Sequence, residues 1–95
     1  MCGSNQEAHG IAAQLLEERL IACANIISDA ESVFRWKGNI ETDTETMLLM
    51  KTQKKHVSDI TARVFQLHSY ELPEVSALPI TDGATEYLNW IAEET

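Results

Sequence analysis

Catalytic signatures are missing from these 95 residues: the chain holds no G-x-G-x-x-G, no P-loop, no G-x-S-x-G and no H-E-x-x-H. Their absence argues against an enzyme built on any of those devices. Cysteine is scarce. Cys2 and Cys23 stand far apart, with no C-x-x-C, so neither a disulfide framework nor a four-cysteine zinc knot is expected. Basic residues are outnumbered, 7 Lys plus Arg against 15 Asp plus Glu, which leaves a formal charge of −8. An acidic chain makes a nucleic-acid partner unexpected and is compatible with attraction of cations, or simply with solubility. No apolar run approaches the roughly 20 residues of a membrane span, so no membrane insertion is expected. Met1 is not followed by a basic segment with an apolar stretch behind it. Together these absences predict a soluble cytoplasmic protein with reduced thiols.

What is present is organised around the stretch from Val33 to Thr52. Gly38-Asn39 is a pair that accepts positive φ, flanked by β-branched and aromatic residues, and predicts a hairpin turn. The arms run from near Ala24 to near Thr52, about 12 residues each against a usual 5–6, so each spans roughly 40 Å. A domain of this size is about 25–30 Å across, so the hairpin overhangs its own core. Val33, Phe34, Trp36 and Ile40 in the overhang are apolar. Bare strand edges pair with other chains unless covered, and a symmetric homo-oligomer is the economical cover. A monomer with a mobile hairpin is the alternative.

The chain reads as a single domain over residues 1–95 with one modest core. Ser4 and Glu7 have capping-box spacing, so a helix starts there. Ala8, Ile11, Ala12, Leu15, Leu16 and Leu20 form its apolar stripe, and its end is expected near Leu20 to Ala22. Ser28-Asp29-Ala30 reads as a bend or bulge in the first hairpin arm, and Met47 to Met50 as a strand buried on both faces. A second helix is expected from about Gln53 to Leu67, with Val57, Ile60, Val64 and Leu67 inward. Lys54 and Lys55 in its first turn oppose the helix dipole, as they would if they faced an anion or the acidic hairpin. After a linker ending at Pro73, Glu74 to Ile80 reads as a short strand, at an edge because Pro79 lacks a donor. A last helix over about Thr85 to Glu93 presents Tyr87, Leu88, Trp90 and Ile91. With one strand prefixed, this order is the α+β, ferredoxin-like βαββαβ plait. Only Met1-Cys2 stands where that first strand would be, so either the chain is a truncated form or something else fills the slot.

Chemistry is sparse along this frame. Cys2 lies close to a helix N-terminus, where the dipole lowers a thiol pKa; it suits a ligand or an inert stub better than a nucleophile. His9 and His56 read as exposed helix residues. His68 opens a Pro-containing loop with Tyr70 and Glu71, and imidazole, carboxylate and nearby thiol together suit copper or zinc. A histidine interacting with the helix C-terminus is the plainer alternative. Cys23 reads as a buried structural thiol. Trp36 either packs on a neighbouring subunit or caps a pocket, and Trp90 belongs to core or interface. Glu41, Asp43 and Glu45 share one strand face by period two, as a solvated row or a site for a hard cation.

Several ungapped blocks resemble one family: Glu17-Glu18-Arg19-Leu20-Ile21-Ala22-Cys23-Ala24-Asn25-Ile26-Ile27, Phe34-Arg35-Trp36-Lys37-Gly38, and Leu67-His68-Ser69-Tyr70-Glu71-Leu72-Pro73-Glu74-Val75. Leu78-Pro79-Ile80 and Tyr87-Leu88-Asn89-Trp90-Ile91 complete the set. In order and spacing they are similar to the CutA divalent-cation tolerance family. The resemblance implies a ferredoxin-like homotrimer whose long hairpins wrap neighbouring subunits, tolerance to copper and other divalent cations, and no enzymatic activity. It implies Cys2, Cys23 and His68 as metal-associated residues. It places Trp36, Glu45, Lys51, Tyr70 and Trp90 around the cleft between subunits. Two functions follow as expectations: a trimeric divalent-cation binding protein with copper foremost, or a signalling or scaffolding trimer holding a small ligand or partner protein in its clefts.

Overall fold

A computed structural model describes all residues 1–95. Three helices and one two-stranded antiparallel sheet follow one another as α1 (Asn5–Glu17), β1 (Cys23–Trp36), β2 (Asn39–Lys51), α2 (Val57–Leu67) and α3 (Thr85–Glu94). A single 3-10 turn, Lys54–His56, precedes α2.

The hairpin is as long as the sequence predicts, with arms of 14 and 13 residues, and the molecule measures 44 × 26 × 22 Å. Its turn sits one residue earlier than expected. Trp36 pairs with Asn39, so Lys37 and Gly38 form the two-residue loop. Both have positive φ, 48° and 86°, as a turn matched to the strand twist requires. Asn39 already belongs to β2. The register shifts between Ile27 and Ala30, and Asp29 takes φ 62° there, which is the expected bulge.

Ser4 caps α1 by accepting the Glu7 backbone N–H at 3.1 Å, while the Glu7 carboxylate reaches back to the N–H of Gly3. The helix stops at Glu17, three residues before the expected end. Leu20 N–H donates to Leu15 C=O and Arg19 N–H to Leu16 C=O, each at 3.0 Å, which is the Schellman pattern. Arg19 fills the left-handed position, φ 56°, that glycine usually takes, so the stop carries no compositional marker.

Ala8, Ile11 and Leu15 of α1 meet Ile60 and Val64 of α2 in the core, with Cys2 and Ile21; Ala24, Ile26, Leu48 and Met50 of the sheet pack against them. Leu49 and Ile27 are exposed instead. Met47 to Met50 is therefore covered on one face only within this chain, the face on which Leu48 and Met50 meet α1 and α2. On α3 only Ile91 is buried; Tyr87 and Trp90 are exposed.

The expected strand over 74–80 does not form in the single chain. The segment pairs with neither hairpin arm, and Leu78 is 86% exposed. Cys2 does pair with the hairpin. Cys2 N–H donates to Thr46 C=O at 2.7 Å and Thr46 N–H to Cys2 C=O at 2.8 Å, so the stub lies beside β2, on the edge away from β1. The buried Thr46 hydroxyl donates to Asn5 Oδ1 at 2.6 Å, and the Asn5 amide donates to Ser28 Oγ at 2.8 Å, pinning the start of α1 to the bulge. No helix is long and apolar enough to cross a membrane.

Candidate metal centre

Three elements converge at the stub. The bridge to Thr46 holds Cys2, the first turn of α1 holds Glu7, and the C-cap of α2 is His68. One ligand atom from each of these side chains lies within 4.8 Å of the other two. Cys2 is 2% exposed and the His68 side chain 2%, whereas the Glu7 side chain is 18% exposed. Glu7 also lines a shallow groove with Ser4, Gln6, Gly10, Ile11, Gln14 and Leu67. The centre thus has two interior donors and one carboxylate that reaches the surface.

His68 is held at both nitrogens. Its Nδ1 accepts the backbone N–H of Tyr70 at 3.0 Å, and its Nε2 lies 2.8 Å from the carbonyl oxygen of Met1. An imidazole that accepts at Nδ1 carries its proton at Nε2, so this network assigns the neutral Nε2–H tautomer. Glu7 Oε1 lies 3.7 Å from Nδ1, and Glu7 Oε2 accepts the Ser69 N–H at 3.2 Å. Burial works against the charged form of Glu7. The Ser69 hydroxyl, the Gly3 N–H, the charge that the His68 ring carries when protonated and the Ser69 N–H outweigh it and hold the carboxyl below its ordinary range. Burial pushes the Cys2 thiol up against the pull of the α-amino group, and the carboxylates of Glu7 and Glu45 add to the rise.

A thiol, a carboxylate and an imidazole are a mixed soft and borderline set that suits zinc or copper. Ligand bonds of about 2.0–2.3 Å place tetrahedral donors roughly 3.5 Å apart, so these three need to close by about an ångström. The residues therefore fit a divalent cation, with two opposing terms: the thiol must lose a proton against a raised pKa, and His68 must give up a hydrogen bond. No buried side-chain nitrogen or oxygen lacks a partner, so the His68 ring is fully paired without a cation.

Of the residues singled out in the sequence, Cys2 and His68 come together here. Cys23 does not; it is half-buried at the base of β1, its Sγ 3.6 Å from Tyr87 Oη, a contact that raises the Tyr87 pKa. Glu7 was legible only as a capping residue, and its second role depends on the loop after α2 folding back over α1. Tyr70 borders the centre, its ring 4.5 Å from that of His68 and its hydroxyl donating to Glu45 at 2.9 Å. Lys51 donates to Asn25 at the inner end of the hairpin. Trp36 is near the tip, with the Lys37 ammonium 5.5 Å from its ring centroid. Trp90 packs beside Tyr87 on α3, at 5.7 Å between rings. His9 is exposed as expected. His56 is half-buried instead, because its ring meets the Thr95 carbonyl oxygen at 3.2 Å.

Comparison with known proteins gives a consistent answer. Residues 1–94 match the family described as CutA1 divalent ion tolerance protein. The chain is 45% identical to the divalent-cation tolerance protein CutA of Thermus thermophilus, covering 97% of this chain and 89% of that one. It is 40% identical to the chloroplastic protein CutA of Arabidopsis thaliana over 96% of this chain, but spans only half the length of that relative. A solved structure of the divalent cation tolerance protein from Thermus thermophilus superposes with a TM-score of 0.96 at 44% identity, over 99% of this chain and 91% of that one. The periplasmic divalent cation tolerance protein CutA from Archaeoglobus fulgidus gives 0.94 at 40% identity, over 98% and 90%. All of these names but the Arabidopsis one specify tolerance of divalent ions, none names a reaction, and they include a chloroplastic and a periplasmic protein. With a family match along almost its whole length and relatives at 40–45% identity, this chain belongs to the CutA1 divalent ion tolerance family.

Proposed function

We propose that this chain is a non-enzymatic, homotrimeric protein that binds divalent cations, copper foremost, through Cys2, Glu7 and His68. The observation that carries the reading is the meeting of three unlike donors within 4.8 Å. Three protein ligands rather than four, and a thiol that must be deprotonated, make the site exchangeable instead of permanent. That is the behaviour a tolerance protein needs, since it takes up excess cation and returns it. Cys23 stays outside this site.

Three features support assembly into a ferredoxin-like trimer from a single domain over residues 1–95. The hairpin overhang is bare, with Val33 65% and Ile40 70% exposed. The 74–80 segment has no pairing partner within its own chain. The sheet face away from the helices exposes Ile27 and Leu49. Strands with free edges and an apolar face are covered most economically by further copies. In that assembly Trp36, Glu45, Lys51, Tyr70 and Trp90 stand around the clefts between subunits, and the protein works in the cytoplasm.

The open sheet face also favours a second reading, a signalling or scaffolding trimer holding a small ligand or partner protein. Native mass spectrometry of protein purified without chelator separates the two. A trimer with copper or zinc mass supports cation binding. A metal-free trimer that stays metal-free after dialysis against copper shifts the reading to the clefts, and a monomer contradicts the assembly.

A further inference from the structure

We infer that His68 cannot ligate a cation and hold the backbone of Tyr70 at the same time, so that loading of the centre unlatches the loop strapping the hairpin. The inference rests on the cation reading above and names how that site is coupled to the rest of the fold.

The argument is one of lone pairs. Neutral imidazole has one nitrogen with a free in-plane lone pair and one that carries hydrogen. In this chain the free lone pair is at Nδ1 and is spent on the Tyr70 N–H at 3.0 Å. If His68 ligates through Nδ1, that lone pair goes to the cation. If His68 ligates through Nε2, the proton must sit on Nδ1, which then donates and no longer accepts. Either way Tyr70 N–H loses its acceptor, and the choice of nitrogen does not matter. Glu7 behaves differently. A carboxylate offers about four acceptor positions, so it can ligate and still accept the Ser69 N–H that it holds at 3.2 Å.

The consequence reaches the hairpin because Tyr70 and Glu71 are the residues through which this loop touches it. Tyr70 Oη donates to Glu45 of β2 at 2.9 Å, and the Glu71 carboxylate meets the Lys37 ammonium in the hairpin turn at 3.6 Å. His68 and Tyr70 also stack with ring centroids 4.5 Å apart, so reorienting one ring disturbs the other. The backbone at Tyr70 is therefore a latch with two exclusive states: closed on an empty His68, released when His68 is a ligand. Released, it frees the strap along the acidic row of β2.

The test is amide hydrogen exchange by NMR on the full chain, with zinc as a redox-silent probe and a chelated sample as reference. Bound zinc is counted per chain in the same sample. Loading should speed exchange of the Tyr70 amide by roughly tenfold, the scale of one lost hydrogen bond, while the Ser69 amide next to it keeps its rate. In His68→Ala the Tyr70 amide should exchange fast with or without zinc. Stoichiometric zinc with Tyr70 exchange unchanged overturns the latch and leaves the cation site standing. Equal acceleration of Ser69 and Tyr70 also overturns it, since that is general loosening. Failure to retain zinc overturns the site, and the latch with it.

Discussion

The hydroxyl of Tyr70 donates to the carboxylate of Glu45 at 2.9 Å, joining the loop after α2 to the middle of β2. Burial raises the phenol's pKa, and the hydrogen bond to Glu45 and the nearby carboxylates of Asp43 and Glu7 push it further the same way. The neutral phenol is the form that donates. Because the folded value lies above the unfolded one, the stability it contributes is fully present below about pH 10 and is lost as pH rises through the folded value. Tyr70→Phe should cost about 1 kcal/mol near neutrality, seen as a lower urea midpoint at unchanged slope. An unchanged midpoint would show that the bond contributes nothing.

Glu7 carries the opposite sign. Its folded pKa is depressed, so its contribution is present above the unfolded value, about 4.3, and is lost as pH falls through the folded value. Glu7→Gln should therefore flatten the fall in stability below about pH 5. Urea midpoints measured from pH 3 to pH 7 for both proteins check this, and parallel curves would contradict it.

Arg19 tests the end of α1. A non-glycine residue at φ 56° is strained, and its exposed ion pair with Glu94 at 3.7 Å offsets little of that. Arg19→Gly should raise stability by about 0.5–1 kcal/mol, read as a higher denaturation midpoint. A loss would mean that the contacts of Arg19 with Glu93 and Glu94 outweigh the backbone strain.

Elements that declare themselves by local chemistry were legible in the sequence. The Ser4 and Glu7 cap, the α2 stripe of Ile60 and Val64, the bulge at Asp29 and the unusual arm length all follow from spacing. Legibility ended where a position took an unusual residue or depended on a distant partner. Arg19 ends α1 where glycine is the usual marker, and Lys37 takes a positive φ that was assigned to Asn39. The 74–80 segment has strand composition, but a strand also needs a neighbour, which composition cannot supply. At the centre, Cys2 and His68 were visible as soft donors in the sequence. Glu7 was not, because its carboxylate joins them only after α1, the stub and the loop at Ser69 have packed together.

The central claim is that Cys2, Glu7 and His68 form one cation site, and titration of zinc into the wild-type chain and Cys2→Ala tests it most directly. Since the thiol must release one proton to ligate, wild-type affinity should fall about tenfold for each pH unit between 8 and 6. One zinc should bind per chain, and Cys2→Ala should bind at least about tenfold more weakly, with less dependence on pH. Equal affinity in the two proteins, or a wild-type affinity indifferent to pH, would contradict the site.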